Sequence, residues 1–97
     1  GGIVEIARAI YASRDRINWE KLLGYLIKFD SQAVIKRLGF LLEKLDIDQE
    51  ITGELQKIKS STYILLDTEL PPVGKRISRW SIRQNLETET IKSAIYT

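Results

Sequence analysis

The chain has 97 residues, of which 43% are hydrophobic, and 15 Lys and Arg against 13 Asp and Glu leave a net charge of +2. That is enough for one domain, residues 1–97, around a single core and too little for two; with so small a charge excess, any contact with nucleic acid has to come from local clustering. Cysteine and histidine are absent, which removes disulfides, thiolate nucleophiles, thiolate and imidazole metal ligands, and the commonest general base at neutral pH.

No apolar run approaches the roughly 18 residues that suggest a membrane-spanning helix, and no signal-like start is seen. The expectation is a soluble, cytoplasmic protein without a membrane partner. Methionine is missing even at position 1, so the chain reads as a domain excised from a longer protein.

Ile3, Ile6, Ala7 and Ile10 recur at helical spacing with Tyr11 beside them, predicting a helix over 3–14 that ends in the polar run Ser13-Arg14-Asp15-Arg16. Asn18 fits an N-cap for a second helix striped by Trp19, Leu22, Leu23, Leu26 and Ile27, with Ile17 placed to staple onto Leu22. After Asp30-Ser31, the spacing of Val34, Leu38, Leu41, Leu42 and Leu45 predicts a third helix over 32–45, with Lys36, Arg37, Glu43 and Lys44 off the apolar stripe. Gly39 within it predicts a close helix crossing. Ile51, Leu55 and Ile58 predict a fourth helix over 49–59.

The pattern changes at Ser60-Ser61. Residues 62–66 are β-branched, aromatic and aliphatic and read as a strand that stops at Asp67, with a second strand over 77–84 as its antiparallel partner. The connection over 67–76 holds Pro71-Pro72 and Gly74, so it reads as an exposed loop longer than a tight hairpin turn. Ile91, Ala94 and Ile95 predict a short terminal helix over 88–96. The expected class is α+β: about four helices, a two-stranded antiparallel hairpin and a short C-terminal helix, in an order compatible with a winged helix.

The segment GKRISRWSIRQNL over 74–86 places four cations in an alternating pattern with no acid among them. Read as a strand, it puts Ser78, Trp80 and Ile82 on a packing face and Arg79, Ser81 and Arg83 on the other, with Lys75 and Arg76 leading in. Such a face meets a polyanion, or else blunts an exposed sheet edge. As a wing it would work with a recognition helix over 32–45 that offers Gln32, Lys36, Arg37 and Lys44. Lys36, Arg37, Lys75, Arg76, Arg79 and Arg83 are therefore the candidate contacts to nucleic acid or another partner. Phe40 and Leu41 occupy much of the rest of that helix and suit packing against a partner instead. Trp19 and Trp80 are expected in the core, and Tyr11, Tyr25 and Tyr63 at its margin or at an interface.

Catalysis finds no support in these residues. Asp46, Asp48 and Glu50 lack the spacing and turn glycine of an EF-hand. Gly74-Lys75 lacks the upstream glycine and the following Ser or Thr of a P-loop. Ser60, Ser61 and Ser78 have no His partner and no lysine base at fixed spacing. No catalytic residue, metal site or cofactor is expected.

Gly1-Gly2-Ile3 at the start, Trp19 with Leu22-Leu23 and Tyr25, AVIKRLGFLLEKL over 33–45, YILLD over 63–67 and GKRISRWSIRQNL together resemble the C-terminal part of the AbiEi-type antitoxin and transcriptional regulator family of bacteria and archaea. The most specific pieces are RLGFLLE over 37–43 and the triplet Ser78-Arg79-Trp80. The resemblance implies an effector domain without catalysis, taken from a regulator whose N-terminal winged helix represses its own operon. DNA would then be read mainly by that upstream module, which this chain lacks, and the functional partner would be a nucleotidyltransferase-like toxin. Arg79 and Arg83 would anchor a contact surface for nucleic acid or another macromolecule. The alternative is an interaction or dimerisation module of a transcription factor, in which Phe40, Tyr25 and the C-terminal helix complete an apolar contact with another domain or a second copy.

Overall fold

The computed structural model describes residues 2–47 and 49–96. Among these residues the chain forms helices α1 (Ile3–Ser13), α2 (Trp19–Phe29), α3 (Gln32–Lys44) and α4 (Gln49–Ile58). Strands β1 (Ile64–Leu65), β2 (Lys75–Ile77) and β3 (Ile82–Gln84) follow, and α5 (Thr88–Tyr96) closes the chain. The α+β class and the terminal helix agree with the sequence pattern. The Asn18 side chain caps α2 by accepting from the Lys21 backbone N–H at 3.1 Å, satisfying one of the donors that a helix start leaves orphaned.

Helix α3 is the centre of the molecule. Ile35, Lys36, Leu38, Gly39, Phe40, Leu41 and Leu42 are all buried, so apolar contact surrounds the helix instead of running along one stripe. It packs on α4, α4 packs on α2, and α1 packs on α5. This overturns the reading of 32–45 as a recognition helix: a helix enclosed on most sides cannot enter a DNA groove. Phe40 and Leu41, expected to meet a partner, are core residues.

The sheet has three strands in the order β1-β3-β2. The segment 77–84 is not one strand paired with 62–66. It turns back on itself between Ile77 and Ile82, with the Trp80 N–H donating to the Ile77 carbonyl at 3.3 Å and Ser81 in the left-handed region at φ 53°. β2 therefore pairs antiparallel with β3, and β1 joins β3 in parallel, with Ile64 opposite Ile82 and Leu65 opposite Arg83. The break at Ser81 interrupts the expected alternation: Trp80 and Ile82 are buried and Arg79 and Arg83 exposed as expected, but Ser81 is buried while Ser78 is exposed.

Asp67 begins the β1–β2 connection and is buried, where an exposed loop was expected. Its carboxylate accepts from the Ile3 backbone N–H at 3.2 Å and from the Glu69 N–H at 2.9 Å. A carboxylate at the start of α1 satisfies an orphan donor and complements the positive end of the helix dipole. Asn85 fastens the same corner, accepting from the Asp67 N–H at 3.0 Å and donating to the Asp67 carbonyl at 2.7 Å. α5 is held to α1 by Arg8 Nε donating to the Ala94 carbonyl at 3.3 Å and by the edge-on rings of Tyr11 and Tyr96, 5.4 Å apart.

Candidate nucleic-acid interface

The six candidate cations fall into two groups, and the structure gives them different tasks. Lys36 is only 1% exposed. Its ammonium donates to Ser60 Oγ at 2.8 Å and to the Thr62 carbonyl, just beyond the C-terminal end of α4. Burial, helped by the nearby charge of Lys59, lowers its pKa from the ordinary value near 10.5. Arg37 gives both Nε and Nη2 to the Leu65 carbonyl, at 3.0 and 2.9 Å, and so ties β1 to α3. Burial lowers the pKa of its guanidinium, and the charge of Asp67 opposes that shift. Gln32 completes the clamp, donating to the Ile58 carbonyl at 2.9 Å and accepting from the Ser60 N–H at 2.7 Å. Lys36 and Arg37 were expected off the apolar stripe and free to contact a partner; instead they satisfy backbone carbonyls at the junction of α4 and β1.

Arg79 is likewise engaged. Its Nε lies 2.5 Å from Glu43 Oε2, and its guanidinium carbon sits 5.7 Å from the Trp80 ring centroid. The other Glu43 oxygen accepts from the Trp80 indole N–H at 3.1 Å. Trp80 itself is 0% exposed and lies directly over Gly39, where an added Cβ would come within 2.1 Å of the ring. The close approach signalled by Gly39 is thus real, but the neighbour is an indole and not a crossing helix. From the other side α4 braces the turn: Gln56 donates to the Arg79 carbonyl, and Lys59 donates to Ser81 Oγ at 2.7 Å and to the Ser78 carbonyl at 3.2 Å. RLGFLLE and Ser78-Arg79-Trp80 therefore interlock through Gly39, Glu43, Arg79 and Trp80.

The remaining three cations share the hairpin formed by β2 and β3. Ile64, Ile77 and Ile82 form one cross-strand row, with Ile82 buried and the other two half-buried. The next row, Leu65, Arg83 and Arg76, points to the opposite face. Arg76 and Arg83 are paired directly across the strands, and both are exposed. The Arg76 guanidinium carbon lies 5.1 Å from the Tyr63 ring centroid, a cation–π distance. Arg83 Nε donates to the Gly74 carbonyl at 3.2 Å. Gly74 is at φ 105°, and a Cβ there would come within 1.9 Å of the Gln84 carbonyl oxygen, so the hairpin needs glycine where the basic segment begins. Lys75 is exposed on the adjoining edge strand. Among the described residues, none of Lys75, Arg76 and Arg83 forms a salt bridge.

Tyr63 was expected at the core margin or at an interface, and it is exposed beside Arg76; its pairing with that arginine was not expected. Glu43 was read only as a residue off the apolar stripe, because nothing local to it announces Trp80 and Arg79 as partners 37 and 36 positions away. Among the described residues no three carboxylates gather to hold a metal ion, and Asp48 lies outside them. Among the described residues no helix is long and apolar enough to cross a membrane. No family model, no curated protein and no solved structure matches this chain.

Proposed function

We propose that the chain is the non-catalytic effector domain of a cytoplasmic toxin–antitoxin regulator and acts by binding a polyanion through the outer face of its small sheet. The observation that carries this reading is the Arg76–Arg83 pair, two like charges set directly opposite each other that form no salt bridge among the described residues. Such a pair weakens a hairpin, and phosphate oxygens relieve the repulsion while matching the planar donors of guanidinium. The Tyr63 ring extends the same face, while Lys75, one position from Arg76 and exposed, alternates to the other side of the edge strand. The family resemblance supplies the wider setting: an upstream winged helix that reads DNA, and a nucleotidyltransferase-like toxin as functional partner. Lys36 and Arg37 drop out of the contact surface because backbone carbonyls hold them in the fold, and the exposed Arg79 is set aside because Glu43 already pairs with it.

The alternative, an interaction or dimerisation module, loses Phe40 to the core but keeps Tyr25, which is exposed on α2. The decisive experiment is a salt series of binding to a mixed-sequence DNA duplex and to a structured RNA, with the wild-type chain and an Arg76→Ala, Arg83→Ala variant. Each arginine on phosphate contributes roughly one counterion to the slope, so the variant should bind more weakly with a slope shallower by about two units. An unchanged slope rules out the sheet face.

A further inference from the structure

Helix α2 carries a second surface, separate from the sheet. Its inward residues Trp19, Leu22, Leu23 and Leu26 belong to the core or pack against it. Lys21, Gly24, Tyr25, Lys28 and Phe29 are all exposed, and their spacing places them side by side over two turns. Phe29 is 68% and Tyr25 50% exposed, and their rings lie near-parallel, with centroids 6.3 Å apart and planes 18° from parallel. The Lys28 ammonium sits 5.6 Å from the Phe29 ring centroid. Gly24 lies between them, with nothing within 4 Å of the position a Cβ would take.

An ordinary solvated helix face explains neither feature. Glycine in mid-helix destabilises relative to alanine, and here no internal packing requires it. Two adjoining aromatic rings left in water give up burial that the core could have used. Both make sense if a flat, anionic ligand lies across the face. Aromatic platforms flanked by cations bind single strands because every base has a π face to stack and every phosphate a charge to meet. With Glu20 also exposed one turn before Gly24, the two lysines still leave the face net positive, a sign that a second copy would repeat and a polyanion would meet. An aliphatic anchor from a protein or membrane fits poorly. The patch is aromatic, and the exposed aliphatic residue on α2, Ile27, points to another side of the helix, two positions from Tyr25.

We propose that this face of α2 binds single-stranded nucleic acid. Tyr25 and Phe29 stack on bases, Lys21 and Lys28 contact phosphates, and Gly24 admits the sugar–phosphate chain close to the helix. The site does not depend on the sheet face.

The test is fluorescence anisotropy with labelled oligothymidylate and oligouridylate of about 12 nucleotides. The wild-type chain should bind both, and Tyr25→Ala with Phe29→Ala should weaken binding by tenfold or more. Gly24→Gln should raise the thermal midpoint and weaken binding, a combination that a merely structural role would not give. Lys21→Gln and Lys28→Gln should each flatten the salt dependence by about 0.7, while Arg76→Ala with Arg83→Ala should leave single-strand affinity within about twofold. The proposal is overturned by absent oligomer binding, by binding indifferent to the Tyr25, Phe29 and Gly24 changes, or by binding lost with Arg76 and Arg83. It is equally overturned if this face instead serves anionic vesicles or Tyr25-dependent dimerisation in sedimentation, with no uptake of the oligomers.

Discussion

Arg79 and Arg83 stand four positions apart in one short basic segment, and the fold gives them opposite roles. At the junction of α3 with the turn before β3, Arg79 meets an acid, Glu43, beside a buried indole that shares the same carboxylate. On the outer sheet face, Arg83 meets another cation, Arg76, beside an exposed tyrosine. The first arrangement is neutralised within the chain; the second forms no salt bridge among the described residues and is the surface we propose for a polyanion. The most distinctive part of this sequence is therefore the part that builds the molecule, and the residues left over from that task make the candidate surface.

The contrast is tested most severely at Trp80. Trp80→Ala empties the space over Gly39 and should cost about 3–5 kcal/mol, read as a large drop in the urea midpoint or outright loss of folding. Gly39→Ala approaches the same contact from the other side, driving a methyl into the ring, and should destabilise by about 1–3 kcal/mol or more. If both variants unfolded like the wild type, the junction would not be the keystone described above. Glu43→Ala leaves the indole N–H without its acceptor, and about 1–3 kcal/mol should be lost. Most of that belongs to the buried indole, because the exposed Arg79 pair is screened by solvent.

A smaller effect separates Lys36 from the surface cations. Its folded-state pKa is lowered, so the unfolded chain holds the proton more tightly. Between the lowered pKa and the ordinary value near 10.5, the unfolded state binds more protons, and this group's contribution to stability rises with pH. The wild type should therefore gain on Lys36→Met as pH climbs through that window, in urea midpoints measured side by side. A flat difference would mean that Lys36 is not desolvated. Smallest of all, Arg76→Ala with Arg83→Ala should leave stability within about 0.5 kcal/mol or raise it slightly, since opposed like charges are removed; a clear loss in the unfolding curve would make that pair structural.

Much of the helical scaffold was legible because apolar spacing of Ile3, Ala7, Leu22, Leu26, Leu38 and Leu42 is a local signal, as is the Asn18 cap. The sheet was only half legible. A period-two pattern over 77–84 is what a strand shows, but Ser81 adopts a left-handed conformation and the Trp80 side chain is drawn inward over Gly39, so one apparent strand becomes two with a turn between. Parallel pairing of β1 with β3 depends on partners far apart in the chain. For the same reason Asp67 could not be recognised as the cap of α1, 64 positions away. The candidate surface was partly legible: Lys75, Arg76, Arg79 and Arg83 are exposed as the pattern implied, while Lys36 and Arg37 turn to backbone carbonyls and Arg79 to Glu43, because charge alone does not say whether a cation's acceptor comes from water, a ligand or the protein itself.

The most direct measurement compares Arg79→Ala with the Arg76→Ala, Arg83→Ala variant, taking the unfolding free energy and the salt slope of duplex and RNA binding for each. Arg79→Ala should lose about 0.5–1 kcal/mol of stability and keep the wild-type slope, while the double variant should keep its stability and bind with a slope shallower by about two units. The reverse pattern, with Arg79 setting the salt dependence and the sheet pair setting stability, would contradict the division between a structural junction and a binding face.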